Sequence, residues 1–200
     1  MMKLFNRWDC ENVRVEEEAL KPYINLPLIL VPRTGGKSAK GQRVWTQRTH
    51  LVERLMNKLM VPGHIKKHKH KRTSGRITGK SLVVQKIVIN CFKIIEKRTE
   101  KNPVQVFVKA IENACPREEV TAIEYGGARY SKAVEVSPLR RVDLALRFMV
   151  WGSYSKSFNS KEKMVDCLVK EILAAYNLDI ANSFSLSKKL ELERQADSSR

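Results

Sequence analysis

From residue 49 onward apolar side chains return every three or four positions, the spacing of one face of an α-helix. Val52, Leu55, Met56 and Leu59 share such a face, in a helix that ends before Pro62. A second helix, over residues 81–98, has Val84, Ile87, Val88, Cys91 and Ile94 or Ile95 as its buried stripe and Lys86, Lys93 and Lys97 on the other side. Asn102-Pro103 marks a third start, with Asn as the cap and Pro at the first helical position, where its missing N–H is not needed. That helix runs to about residue 113 and buries Val104, Phe107 or Val108, and Ile111. Ser137-Pro138 repeats the signal and opens a fourth helix to about Gly152, with Leu139, Val142, Leu146 and Met149 on one stripe and Arg140, Arg141 and Arg147 projecting elsewhere. A fifth begins at Ser160 and carries Met164, Val165, Leu168, Val169, Ile172, Leu173 and Tyr176 at the same spacing. A charged sixth covers about residues 187–198.

The helical period breaks at residues 116–137. Val120, Ala122 and Tyr125 lead into Gly126-Gly127, and Tyr130, Ala133, Val134 and Val136 follow. Two β-prone runs around Gly-Gly predict a hairpin at about 118–137 whose tip carries Arg129. Residues 1–31 hold Phe5, Trp8, Tyr23 and the run from Leu26 to Val31, with Pro27 and Pro32 opposing a regular helix or central strand. An extended strap with a few buried anchors is the expectation. Residues 33–47 form a Gly/Lys/Arg arm with Trp45 as a packing or base-stacking residue, and residues 62–80 form a basic loop without apolar periodicity, expected to be mobile without its partner. The fold class is therefore mainly α: a bundle of about six helices with an inserted β-hairpin and an extended basic N-terminal arm. Residues 1–48 make up the N-terminal segment and arm, and residues 49–200 the bundle with its loop and hairpin.

Charge changes this picture. The 200 residues carry a formal net charge of +17, and between Pro32 and Lys80 eight Lys and six Arg face a single acid, Glu53. About three quarters of the excess thus lies in one quarter of the chain, where self-repulsion opposes compaction unless a polyanion neutralises it. A surface selected only for solubility would intersperse both signs. No stretch approaches the ~18 apolar residues of a membrane-spanning helix, and residues 1–12 have no apolar run of the kind a secretory signal requires. Cys10, Cys91, Cys115 and Cys167 are widely spaced with no CxxC pair, so reduced, mostly buried thiols and a cytosolic setting are expected.

Signals that imitate enzymes fail on spacing. Gly36-Lys37-Ser38 and Gly79-Lys80-Ser81 resemble the end of a phosphate-binding loop, but the position five before each second glycine holds Val31 or Ser74 instead of Gly. His64, His68 and His70 lie among Lys66, Lys67, Lys69, Lys71 and Arg72, whose charge would repel a dication. They suit phosphate or a base better than a metal. No motif nominates a nucleophile or a carboxylate pair. No catalytic residue, metal or cofactor is expected.

Nucleic acid fits better. Lys and Arg clusters neutralise phosphates with release of counterions, and Arg also stacks on exposed bases. At the hairpin, Tyr125, Arg129 and Tyr130 offer stacking and charge, with cross-strand packing as the other reading of the tyrosines. Arg140 and Arg141 read either as contacts or as solvated helix residues, and Lys188, Lys189 and Arg194 alternate with Glu191 and Glu193 so that intrahelical pairing competes there.

Several stretches together resemble the universal small-subunit ribosomal protein seven family in its archaeal and eukaryotic form. They are Lys3-Leu4-Phe5-Asn6-Arg7-Trp8, Leu51-Val52-Glu53-Arg54-Leu55, Asn102-Pro103-Val104-Gln105-Val106 and Pro116-Arg117-Glu118-Glu119, then Gly126-Gly127-Ala128, Val136-Ser137-Pro138-Leu139-Arg140-Arg141-Val142, Glu191-Leu192-Glu193-Arg194 and Ser199-Arg200. The resemblance implies a helical bundle with a protruding hairpin, seated in the head of the small subunit and located in the cytoplasm as part of the ribosome. It implies direct binding to the 3′ major domain of small-subunit rRNA, help for later head proteins to join, and a hairpin near the exit-site tRNA and the mRNA path. By position, the rRNA-binding arm and first helix fall on residues 37–54, with Lys37, Lys40, Arg43, Arg48 and Arg54, and the fourth-helix basic motif on Arg140 and Arg141. The hairpin role falls on Tyr125, Gly126, Gly127, Arg129 and Tyr130. Charge alone adds Lys66, Lys67, Lys69, Lys71, Arg72, Arg76 and Lys80 as rRNA contacts. The chain departs from the family at Gly152-Ser153-Tyr154, where relatives show Gly-Ala-Arg, and in its longer basic loop. A free-standing RNA chaperone or RNA-modification accessory protein is the competing reading of the same basic surface.

Overall fold

A computed structural model of the chain describes residues 2–33, 45–65, 71–73 and 75–200. Its α-helices are α1 (Leu51–Leu59), α2 (Ser81–Thr99), α3 (Pro103–Ala114), α4 (Pro138–Ser157), α5 (Met164–Tyr176) and α6 (Phe184–Asp197), with short 3-10 turns at Glu18–Tyr23 and Trp45–Arg48. These six helices stand where the sequence places them, five of them on apolar periodicity, and the chain is mainly α, as expected.

The local reasons are visible at the ends. Asn102 Oδ1 accepts from Val104 N at 3.0 Å and Pro103 takes the first helical position of α3. Pro138 does the same for α4, although Ser137 makes no side-chain cap bond there. At α1 the cap is a histidine: His50 Nδ1 accepts from Val52 N at 3.1 Å.

Three boundaries differ from the expectation. α4 continues past Gly152 to Ser157, because that glycine marks a close helix approach and not a stop. α5 begins at Met164, since Ser160 Oγ accepts from Glu162 N at 3.2 Å and holds a local turn before the helix. α6 starts earlier, at Phe184, where Ser183 Oγ accepts from Leu186 N at 3.2 Å.

α3 is the centre of the molecule. It packs against α2, α4, α5 and α6, and its buried set includes Val104, Val106, Phe107, Val108, Ala110 and Ile111, so it is apolar nearly all round instead of along one stripe. The N-terminal strap wraps this bundle. Leu4, Trp8, Leu20 and Ile24 are its buried anchors, whereas Phe5 and Tyr23 are only half-buried and Leu28 to Val31 are exposed. Side-chain amides tie the strap down as a strand would: Gln105 accepts from Arg14 N at 2.8 Å and donates to Arg14 O at 2.9 Å, and Asn102 Nδ2 donates to Asp9 O at 2.7 Å. Trp8 Nε1 donates to Glu96 Oε2 at 3.1 Å, and Glu112 Oε1 accepts from Glu16 N at 2.7 Å.

Two antiparallel ladders interrupt the helices. β1 (Gly63–Ile65) and β2 (Lys71–Thr73) pair at the stem of the basic loop, with His64 opposite Arg72. That short ladder is absent from the sequence expectation, because three residues per strand are too few to produce a readable alternation. β3 (Glu118–Tyr125) and β4 (Ala128–Glu135) form the hairpin, in a register that sets Tyr125 opposite Ala128. Its two-residue turn, Gly126-Gly127, has φ of +58° and +80°, the left-handed pair that a tight hairpin turn needs and that glycine adopts without a Cβ clash.

Candidate nucleic-acid interface

The hairpin is anchored only at its root. Arg117 N donates to Glu193 Oε1 of α6 at 3.1 Å, and Arg200 Nη2 donates to both oxygens of Glu118 at 2.6 and 2.7 Å. A small apolar cluster of Val136, Leu144 and Phe148, flanked by Trp151, Phe184 and Leu192, lies beneath that root. Beyond it the strands stand in solvent. The register places Ile123, Tyr125, Tyr130 and Val134 on one face, and all four are exposed, Tyr125 to 81% and Tyr130 to 60%. These tyrosines are therefore not packed against the body. Arg129 lies opposite Glu124 across the ladder, 3.7 Å from its carboxylate, and stays exposed.

The expected rRNA contacts divide into three groups. Lys37, Lys40, Arg43, Lys66, Lys67 and Lys69 lie outside the described residues, as do the side chains of Lys71 and Arg72. Arg48, Arg76 and Lys80 are exposed, and Lys80 Nζ donates to Gly75 O at 3.1 Å. The third group is engaged within the protein. Arg140 makes a two-pronged pair with Glu119, at 2.7 and 3.0 Å, while keeping half its side chain in solvent.

Arg141 corrects the sequence reading, which has it projecting from α4. It is 7% exposed, donating to Pro116 O at 3.1 Å and pairing with Glu17 at 2.7 Å, so it pins the strap and the α3–β3 connection to α4. The cause is the strap itself, which covers a side of α4 that helical periodicity alone leaves open. Arg54 is likewise enclosed, at 4% exposure. It donates to Tyr23 O at 2.9 Å and to Asp143 Oδ1 at 3.2 Å.

Arg54 nevertheless lines a groove of about 460 Å³ between α1 and α4, together with Thr46, Thr49, Asn57, Lys58, Asp143, Arg147, Val150 and Trp151. Lys58 Nζ is 3.7 Å from Asp143 Oδ1, and the Arg147 guanidinium sits 5.8 Å from the Trp151 ring centroid, within cation–π range. Lys58, Asp143 and Trp151 are absent from the residues singled out in the sequence. The available signal is the four-residue spacing of Arg54 with Lys58 and of Arg147 with Trp151, which places each pair on one helix face. The meeting of the two faces is a tertiary fact.

The remaining buried titratable groups have structural surroundings. The four cysteines are buried and unpaired, and burial raises each thiol, Cys10 and Cys167 to about 11, Cys115 to about 12 and Cys91 further still. His50 is pushed down to about 4 by burial, so it is neutral at physiological pH and serves as a cap. Glu171, fully buried, is satisfied by Lys156 at 2.9 Å, Ser183 Oγ at 3.0 Å and Ser185 N at 2.9 Å, a structural network at the α4–α5–α6 junction. No helix among the described residues is long and apolar enough to cross a membrane.

Residues 31–200 match the family model described as ribosomal protein S7p/S5e. The chain is 52% identical over 199 residues to the small ribosomal subunit protein uS7 of Nanoarchaeum equitans, covering 100% of this chain and 99% of that protein. It is 43% identical over 198 residues to the uS7 protein of Methanothermobacter thermautotrophicus, covering 99% of each chain. Against the uS7 protein of Methanococcus aeolicus it is 41% identical over 199 residues, covering 100% of this chain and 99% of that one.

Proposed function

The chain belongs to the ribosomal protein S7p/S5e family, and from that premise we propose that it is a non-catalytic structural component of the small ribosomal subunit. It binds the 3′ major domain of small-subunit rRNA directly, nucleates assembly of the head and holds its hairpin beside the exit-site tRNA and the mRNA path. Its partners are that rRNA, neighbouring head proteins, the exit-site tRNA and the mRNA. Its place in the cell is the cytoplasmic ribosome.

The observation that carries the reading is an end-to-end likeness to uS7 proteins in a chain whose +17 charge is concentrated between Pro32 and Lys80. A region of one sign, flanking a well-packed body, suits a phosphate surface far better than bulk solvent. The hairpin adds to it. Beyond its half-buried root the ladder exposes its side chains on both faces, which adds little stability and suits reaching a partner. Lys37, Lys40, Arg43, Arg48, Lys66, Lys67, Lys69, Lys71, Arg72, Arg76 and Lys80 are proposed as phosphate contacts. Arg140 serves at the hairpin root, and Tyr125, Gly126, Gly127, Arg129 and Tyr130 face tRNA and mRNA. Arg141 is left out of the contact set because its guanidinium is already committed to Glu17 and Pro116.

Sedimentation of a lysate from the native cell tests the assignment. The chain is expected in the small-subunit and whole-ribosome fractions, in about one copy per subunit. Recovery mainly at the top of the gradient would favour a free-standing RNA chaperone or modification accessory protein.

A further inference from the structure

The groove between α1 and α4 has the composition of a nucleotide site instead of a plain phosphate cradle. A surface that only tracks a phosphodiester backbone gathers cations. Here Arg54 and Lys58 flank a carboxylate, Asp143, and Arg147 lines the same groove. The remaining lining mixes polar Thr46, Thr49 and Asn57 with apolar Val61 and Val150 and aromatic Trp151. An anion at the centre of a phosphate site would repel its ligand, so the ligand that fits must offer hydrogen-bond donors to Asp143 and anionic groups to the cations around it.

We propose that this groove receives one unpaired nucleotide of the bound RNA, with its base stacked on Trp151 and Arg147, its Watson–Crick edge on Asp143 and its phosphate at Lys58. The proposal rests on the RNA-binding reading above and specifies what part of the RNA enters. Four features of the groove support it. Its volume, about 460 Å³, lies in the range of small-ligand sites. Arg147 over Trp151, at 5.8 Å, makes a joined cationic and aromatic surface of the kind on which splayed-out bases stack. Asp143 uses only Oδ1 on Arg54 and Lys58, and Oδ2 accepts no hydrogen bond from a described residue. Buried Arg54 Nε also has no hydrogen-bond partner among the described residues.

Asp143 sets the choice of base. Guanine presents its N1–H and N2–H side by side, which suits the two oxygens of a carboxylate. Uracil presents one N–H between two carbonyls, which a carboxylate repels. Adenine and cytosine each place one amine beside an acceptor nitrogen. Unpaired guanine is thus the best fit.

Kethoxal modifies N1 and N2 of unpaired guanines and therefore reads the proposed contact directly. The full chain is bound to protein-free small-subunit rRNA and the complex is probed with kethoxal and, in parallel, with hydroxyl radicals for the backbone. Wild type is expected to protect an unpaired guanine, and W151F to retain that protection. W151L, which keeps apolar bulk against Phe148, and D143N, which keeps shape, are expected to lose protection at that guanine while preserving the backbone footprint. W151L should bind about tenfold more weakly, a typical stacking loss. A W151L protein that fails to fold would lose the whole footprint, and D143N then decides. Protection unchanged in the decisive variant overturns the proposal. So does a wild-type backbone footprint with no guanine protected, and that result leaves the RNA-binding reading standing. No footprint at all would remove both.

Discussion

Gly152 sits where α4 meets α6, and a Cβ built on it would come within 2.6 Å of Phe184 Cβ and 3.0 Å of Glu171 Oε2. Neither neighbour is free to retreat, since Phe184 opens α6 and Glu171 is held by Lys156, Ser183 and Ser185. G152A should therefore destabilise the protein by about 1–3 kcal/mol, the usual overpacking range, seen as a lower urea midpoint. His50 gives a pH-dependent counterpart. Its folded pKa of about 4 lies below the ordinary 6.5, so in acid the unfolded chain takes up the proton first. The contribution is intact above about pH 6.5 and is lost as the pH falls toward 4, by up to roughly 3 kcal/mol. H50N keeps a capping acceptor and removes the titration, so the stability gap between wild type and H50N should narrow or reverse between pH 7.5 and 4.5. A gap independent of pH would show that His50 does not titrate this way. Arg141 separates structure from contact: R141Q should lower the melting temperature and leave the salt dependence of RNA binding unchanged. Of these residues, Gly152 stands out in the sequence as a helix end and Arg141 as a projecting cation, both with the wrong surroundings. The roles of all three depend on what packs against them from far along the chain.

Helices were the most legible elements because their cause is local. The Asn102-Pro103 and Ser137-Pro138 starts, and the apolar spacing of α2 and α5, each lie within one window of sequence. The hairpin was equally plain in Gly126-Gly127. No local pattern signals the all-round burial of α3, which follows from its four helical neighbours, or the strap anchors Leu4, Leu20 and Ile24, which have no periodic context. The candidate site divides in the same way. The exposed hairpin tip was readable, whereas the α1–α4 groove exists only after folding. Because the tip makes no contact with the core, R129A/Y130A should change stability by less than about 0.5 kcal/mol. It should spare head assembly and alter tRNA retention or reading-frame maintenance, measured in reconstituted ribosomes. If the variant blocked assembly, the separation between a body that binds rRNA and a hairpin that meets tRNA would be wrong.

For the whole molecule, the excess charge is concentrated between Pro32 and Lys80, a stretch that includes α1, while the rest of the chain is nearly neutral and carries an anchored, exposed hairpin. The 151 residues outside Pro32 to Lys80 have 24 basic and 20 acidic groups, and many are paired: Lys109 with Glu16, Lys170 with Glu162, Lys188 with Glu191, Arg140 with Glu119. Charges satisfied internally add little to RNA affinity, so the salt dependence should come mainly from the basic segment. Replacing Lys66, Lys67, Lys69, Lys71 and Arg72 with Ala should weaken binding and flatten the slope of log affinity against log salt. An unchanged slope would take that loop out of the interface.

The central claim is that folded body and basic segment together recognise one region of small-subunit rRNA. Footprinting of the purified chain on protein-free small-subunit rRNA, across a salt series, tests it most directly. Protection confined to the 3′ major domain and surviving moderate salt is the predicted result. Diffuse protection that vanishes as salt rises would contradict it, leaving non-specific binding by the basic segment alone.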